Sequence, residues 1–74
     1  MDMAKNETMQ RRHLEEAERH IVRGRRLIAT QEELLLRLRD TGSDTRQARE
    51  LLNNLLISQD HHLAHREIIL RELE

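Results

Sequence analysis

The strongest constraint in this 74-residue sequence is an apolar pattern that repeats along its first half. Apolar and small residues recur alternately every three and four positions, the spacing that aligns them along one side of an α-helix. The sequence has no Pro and only two Gly, so little interrupts a helix. A register this long predicts coiled-coil packing of a helix over residues 8–40. Its seam consists of Leu14, Ala17, Ile21, Gly24, Ile28, Gln31, Leu35 and Leu38, with Leu27 and Leu34 beside it.

The pattern is broken once, between residues 40 and 45. We expect a turn over residues 41–44, a second helix over 45–73 and a flexible N-terminus over 1–7, all in one domain spanning 1–74. Gly42 can adopt the left-handed conformation that commonly ends a helix. Asp44, with Gln47 three residues later, resembles a capping box and is the expected cap of the second helix. Because the connection is short, the two helices should run antiparallel as neighbours.

The second helix carries a less regular seam, which we expect to face the first. Its predicted members are Ala48, Leu51, Leu55, Ser58, His62, His65 and Ile69, with Leu52 and Leu73 beside them. Folding about Gly42 then predicts pairs of residues at the same level of the hairpin. These pairs are Leu38 with Ala48, Leu35 with Leu51, Gln31 with Leu55, Gly24 with His62, Ile21 with His65, and Ala17 with Ile69.

A second apolar line lies outside the seam on each helix. Its members are spaced by seven residues, so they share a helix face about 100° from the first. A single hairpin would leave both lines in water, and chains this short usually need a partner, a metal or disulfides. We therefore predict an all-α fold in which antiparallel hairpins form a homo-oligomeric bundle, most simply a dimeric four-helix bundle. The predicted oligomer interface is Val22, Ala29, Leu36, Leu56, Leu63 and Leu70.

Composition narrows the classes of function. The absence of Cys rules out disulfides and thiolate metal sites. Charged residues make up 36% of the chain but nearly cancel, with a net charge of -1, so no general attraction to nucleic acid or anionic membranes is expected. The first residues lack the apolar core of a signal peptide, and the apolar runs are too short to span a bilayer. We expect a cytoplasmic protein without cofactor or membrane partner.

The histidines are the candidates for chemistry. His61 and His65 are spaced i, i+4, which can chelate a transition metal, and His20 could supply a third imidazole from the first helix. His62, next to His61, is a further candidate ligand. The simpler interpretation is that His62 and His65 are partly buried seam residues, with Gly24 making room for a ring. If both rings are buried and neutral, stability should fall as the pH drops through about 6.5, because burial disfavours imidazolium. Metal binding and pH sensing are thus the alternative functions.

Other polar residues suggest weaker hypotheses. Arg19, Arg23 and Arg26 share a helix face that could contact phosphates, although nearby Glu residues and the lack of aromatic side chains argue against nucleic-acid binding. Ser58 and His62 are spaced like a nucleophile and a base, but no carboxylate is placed to orient the ring, so we expect no enzyme activity. Ion pairs of the favoured helical order are expected for Glu15–Arg19, Glu33–Arg37 and Glu67–Arg71.

Polar residues in the seam point to packing rather than chemistry. Gln31, Ser58 and Gln59 lie in or beside the seam, where polar groups often fix register or oligomeric state. Gly24 at a seam position indicates close approach of a helix or a bulky side chain.

Two stretches of the sequence also carry a resemblance. One is Ala17-Glu18-Arg19-His20-Ile21 with Gly24, Ile28 and Gln31. The other is the connection from Leu38 to Thr45 with Ala48, Leu51-Leu52, His62 and Arg66. Across residues 14–70 the sequence resembles short, uncharacterised α-proteobacterial helical-hairpin proteins. The resemblance implies a bacterial helical hairpin and transfers no activity or site residue. The resulting prediction is a structural or protein-interaction module whose partner is itself or another helical protein.

Overall fold

The computed structural model describes residues 3–74, with side chains from residue 6 onward, and forms a rod of 61 × 15 × 14 Å. Its regular structure is two helices, α1 (Met3–Asp40) and α2 (Arg46–Leu73). Gln31 of α1 contacts Ala48 near the start of α2, whereas Ile21, further from the turn, contacts Gln59. The helices therefore run antiparallel and form the expected hairpin.

The first helix begins earlier than predicted. The flexible segment proposed for residues 1–7 is helical from Met3 onward, and residues 1–2 lie outside the described residues. This segment lacks the apolar periodicity of the seam. However, Ala4, Lys5 and Glu7 are good helix formers by residue type. An ion pair of 2.8 Å between Arg11 and Glu7 further stabilises this end.

The turn stops α1 through its backbone. Gly42 has a φ of 69°, which is the left-handed conformation. The Ser43 N–H donates to the Leu38 carbonyl at 2.9 Å, and the Gly42 N–H donates to Arg39 at 3.1 Å. This pair of bonds is the Schellman motif, which satisfies carbonyls that the helix end leaves free.

Asp44 supports the start of α2, as the sequence suggested, but without the predicted capping box. Its Oδ1 accepts a hydrogen bond of 3.0 Å from the Arg46 N–H, and its carboxylate also contacts the Arg46 guanidinium at 2.8 Å. Both bonds lower the pKa of Asp44, the side-chain bond more than the backbone bond. Among the described residues Gln47 makes no reciprocal bond, and the residue preceding the helix is Thr45.

The seam of α1 lies where the sequence placed it. Ile21 is 2% exposed, and Ala17, Leu35 and Gln31 are also buried. The other four seam members are half-buried: Leu14, Gly24, Ile28 and Leu38. The flanking Leu27 and Leu34 are exposed.

The seam of α2 differs from the prediction. Leu51, a predicted seam residue, is 48% exposed, and Ser58 and His65 are exposed as well. Leu52 is half-buried and Gln59 is buried instead. The inward-facing residues therefore follow a different phase of the same three-and-four spacing: Thr45, Ala48, Leu52, Leu55, Gln59, His62, Arg66, Ile69 and Leu73.

This change of phase also displaces the two helices relative to the predicted pairs. Gly24 lies against Gln59 rather than His62, three residues closer to the turn, which is about 4.5 Å along a helix. Gln31, expected beside Leu55, instead reaches the backbone of Ala48. The Ile21 carbonyl, expected at the level of His65, meets Gln59.

Two glutamines fix this register. Gln31 Nε2 donates to the Ala48 carbonyl at 3.0 Å, and Gln59 Nε2 donates to the Ile21 carbonyl at 2.9 Å. Each bond crosses from one helix to the backbone of the other. The second bond needs Gly24, because a Cβ there would overlap the Gln59 amide. Gln59 Oε1 is buried without a hydrogen-bond partner, so this amide is held at some cost.

Candidate functional site

The predicted oligomer interface is mostly exposed in the single chain. We call Val22, Ala29 and Leu36 the α1 line, and Leu56, Leu63 and Leu70 the α2 line. Every member of the α1 line is exposed, with Leu36 reaching 58%. On the α2 line Leu56 and Leu70 are exposed, but Leu63 is only half-buried and so offers less free surface than predicted.

More large apolar side chains are exposed than buried among the described residues. The buried apolar set is small: Ala17, Ile21, Leu35, Ala48 and Ile69. Exposed Leu residues are ordinary when scattered, but a constant spacing of seven residues keeps each line on one face of its helix, with successive side chains about 10.5 Å apart. The apolar residues exposed outside the two lines are Met9, Leu27, Leu34, Leu51, Ile57 and Ile68.

On another face, two histidines stack across the hairpin. The rings of His20 on α1 and His62 on α2 lie 5.1 Å apart with an interplanar angle of 6°. Each ring also has a neighbour on its own helix: Glu16 Oε1 lies 3.8 Å from His20 Nε2, and Ser58 Oγ lies 3.5 Å from His62 Nε2. The sequence did not predict this stack, because it placed His62 opposite Gly24.

The stack forms one wall of a shallow groove of about 250 Å³, which His13 and His65 also line. His61, the other half of the proposed i, i+4 chelate, is exposed and does not line it. Within residues 3–74, no group of three or more His, Asp or Glu is arranged to hold a metal ion. The three-imidazole site proposed from His20, His61 and His65 is therefore not formed.

The Ser58–His62 pair lacks the surroundings of a nucleophilic site. The Oγ–Nε2 distance of 3.5 Å is long for a hydrogen bond, and one face of the His62 ring is stacked on His20. In the described part of the chain, no carboxylate bonds to the His62 ring to orient it. The pair is better described as a contact on an exposed surface.

The arginine face is electrically mixed. Arg19, Arg23 and Arg26 share a surface depression with Glu15 and Glu18, so carboxylates lie among the guanidinium groups. Of the predicted helical ion pairs, only Glu33–Arg37 has its atoms within 4.0 Å over the described residues. The other ion pairs without histidine are Glu7–Arg11, Asp44–Arg46 and Arg66–Glu67.

The geometry defines the chain as a two-helix hairpin with an apolar line on each helix and one histidine groove on its surface. Neither helix, over the described residues, has an apolar stretch that could cross a membrane. Comparison with known protein families, with curated proteins and with solved structures finds no match. Function must therefore be inferred from the surface itself.

Proposed function

We propose that this protein is a small structural or protein-interaction module that self-associates through its two apolar lines. In this proposal two antiparallel hairpins form a four-helix assembly in the bacterial cytoplasm. Any face that the assembly leaves free is available to another helical protein. The proposal also places the chain with the α-proteobacterial hairpin proteins that its sequence resembles.

The observation that carries the proposal is the exposure of the α1 line beside a thin core. Leu36 is 58% exposed and Val22 is 45% exposed, although their immediate neighbours Leu35 and Ile21 are buried. Fully burying an apolar side chain of this size contributes about 1.5–3 kcal/mol, and roughly half of that remains to be gained at Val22 and Leu36, because each is about half exposed. Several such residues in each copy give a gross stabilisation of the same order as the lower estimates of the entropy lost on association.

The experiment compares two leucines on different faces of α1. Leu36→Glu places a charge in the α1 line, whereas Leu27→Glu places the same charge at a similarly exposed leucine outside both lines. Sedimentation equilibrium should show a dimer for the wild type and for Leu27→Glu, and a monomer for Leu36→Glu. A Leu27→Glu monomer together with a Leu36→Glu dimer would place association on the opposite face.

The histidine stack supports a second candidate function, pH sensing. Protonating both rings would place two positive charges about 5 Å apart across the helices, which costs roughly 1–3 kcal/mol at effective dielectric constants of 80 to 20. Glu16 beside His20 offsets part of this repulsion. His65 and His13 line the same groove. Acidification should therefore loosen the half of the hairpin far from the turn.

This candidate is tested by thermal unfolding of the wild type and His20→Gln between pH 8 and pH 5. The wild type should lose stability as the pH falls, and His20→Gln should lose less because the stack then has only one imidazole ring. His61→Gln is the matched control, since His61 is exposed outside the groove. Equal pH dependence in all three proteins would remove the pH-sensing candidate.

A further inference from the structure

The charges beside the α1 line determine how two copies can meet. We propose that α1 packs antiparallel on α1 of a second copy, with a twofold axis at Ala29 and the two turns at opposite ends. This inference rests on the proposed self-association and specifies the contact that the α1 line makes and the orientation of the two copies. Antiparallel pairing about Ala29 places Val22 against Leu36 of the second copy, and Leu36 against Val22. The small Ala29 side chains meet at the centre, where they allow close approach of the helices.

One flank of the α1 line is formed by residues that have the same seven-residue spacing but lie three positions later in the sequence, as Arg25 follows Val22. These exposed residues alternate in charge along the helix: Glu18, Arg25, Glu32 and Arg39. In an antiparallel pair, residues on the same flank of both helices face each other. Pairing about Ala29 then places Glu18 against Arg39 and Arg25 against Glu32, and the twofold axis repeats both pairs. All contacts on this flank are attractive.

The other flank is formed by residues that lie four positions after the members of the α1 line, as Arg26 follows Val22. It has a different charge order: Arg19 and Arg26 come first, and Glu33 and Asp40 follow. The same axis places Arg19 against Asp40 and Arg26 against Glu33, again twice each. The two flanks have different charge orders. Each is nevertheless complementary in charge to the same flank of the second copy when the twofold axis lies at Ala29.

Most of these charges are unpaired within their own chain. Among the described residues, Glu33 alone of the eight has an ion-pair partner within 4.0 Å, namely Arg37. The remaining seven have exposed side chains and are free to form contacts across an interface: Glu18, Arg19, Arg25, Arg26, Glu32, Arg39 and Asp40.

Alternative alignments are less favourable. Sliding one helix by a heptad places like charges together, either Arg25 against its own copy or Glu32 against its own copy. A parallel alignment pairs one flank with the other and is mixed, because Glu18 meets Arg19 and Arg39 meets Asp40, but Arg25 meets Arg26 and Glu32 meets Glu33. Like charges at such positions are destabilising, so the sequence favours the Ala29-centred antiparallel pair over these alternatives.

The orientation is tested by cross-linking, which is clean because the chain has no Cys. Ala29→Cys places two thiols at the twofold axis, where mild oxidation should form a disulfide dimer. Val22→Cys and Leu36→Cys should each remain monomeric on oxidation, because the two copies of each thiol lie about 20 Å apart. Mixing Val22→Cys with Leu36→Cys should instead give the mixed disulfide.

The outcomes distinguish this inference from the proposed self-association. If Val22→Cys and Leu36→Cys each form disulfides with themselves, the helices are parallel and the inference is wrong. If the wild type sediments as a dimer but Ala29→Cys does not cross-link, self-association holds and the α1 contact is wrong. If the wild type is a monomer, both proposals fail.

A charge exchange tests the flanks without altering the apolar line. Arg25→Glu should weaken dimerisation about tenfold at low salt, because two attractive pairs become repulsive. Combining Arg25→Glu with Glu32→Arg in one chain should restore most of the affinity. Arg23→Glu, an exposed arginine outside both flanks, is the control. Equal weakening by Arg25→Glu and Arg23→Glu, without rescue in the double variant, would contradict the proposed register.

Discussion

Helix α1 carries apolar side chains both on its inner side, which faces α2, and on its outer side, which carries the α1 line, but their environments differ. Leu35 is 7% exposed, and its neighbour Leu36 is 58% exposed. Ile21 and Val22 form a similar pair of neighbours, with Ile21 buried against α2 and Val22 exposed. The inner residues are covered within one chain, whereas the outer residues can be covered only by another molecule. We therefore expect the inner side to determine the stability of the hairpin and the outer side to determine its association.

The sharpest test of this division exchanges neighbouring leucines for alanine. Leu35→Ala should lower the free energy of unfolding by about 2–5 kcal/mol, because it leaves a cavity between the helices. Leu36→Ala should retain a folded hairpin but shift the dependence of melting temperature on protein concentration. Chemical denaturation at two protein concentrations separates these effects. A larger effect on monomer stability from Leu36→Ala than from Leu35→Ala would reverse the assignment of the two sides.

The contact between Gly24 on the inner side of α1 and Gln59 of α2 provides a second test. Replacing an exposed helical Gly with Ala normally stabilises by about 0.5–1 kcal/mol. Here the added Cβ would displace the Gln59 amide from its bond to Ile21. Gly24→Ala should therefore be neutral or destabilising in the wild type, but stabilising once Gln59→Ala has removed the amide.

A double-mutant cycle measures this coupling. We expect an interaction of about 1–2 kcal/mol, the order of one buried hydrogen bond. Gly42→Ala is a useful contrast, because nothing lies near an added Cβ there and only its left-handed φ opposes the change. Additive effects of Gly24→Ala and Gln59→Ala would indicate that this contact does not fix the register.

The smallest expected effect on stability is at the turn, which lies outside both sides of α1. Asp44→Ala should slightly lower the melting temperature, because the first turn of α2 loses its hydrogen bond from Asp44. Since the folded-state pKa of Asp44 lies below its ordinary value of 3.8, this stabilisation is present at neutral pH and lost as the pH falls through the lowered pKa. Asp44→Asn, which keeps an acceptor but no charge, should fall between wild type and Asp44→Ala.

The sequence predicted the hairpin, the α1 seam and part of the α2 seam: Ala48, Leu55, His62 and Ile69 face inward, but Leu51, Ser58 and His65 do not. The α1 pattern has one consistent phase, whereas Leu51 and Leu52 are both leucine, so two phases fit the start of α2. The observed phase places Gln59 and Arg66 inward, which hydrophobicity alone disfavours. Arg66 is half-buried, and an aliphatic stem allows such a residue to occupy a seam position. The tertiary contact of Gln59 with Gly24 and Ile21 could not be obtained from periodicity.

The predicted positions of the histidines were affected by the same error in the phase of α2. Placing His62 opposite Gly24 suggested a buried ring, and pairing His61 with His65 suggested a chelate. In the observed packing Gly24 lies against Gln59, the half-buried His62 meets His20, and His65 is exposed. The outward apolar lines depended only on spacing within each helix, so their exposure was less sensitive to this error. Their burial by a second copy remains a prediction.

Sedimentation equilibrium of the wild-type chain over about 1–100 µM tests self-association most directly. We predict a mass of twice the 8.9 kDa chain at the upper concentrations, with dissociation on dilution or at high salt. A folded species with the mass of one chain throughout this range would contradict the proposal, because the exposed α1 line would then be stable in water without a partner.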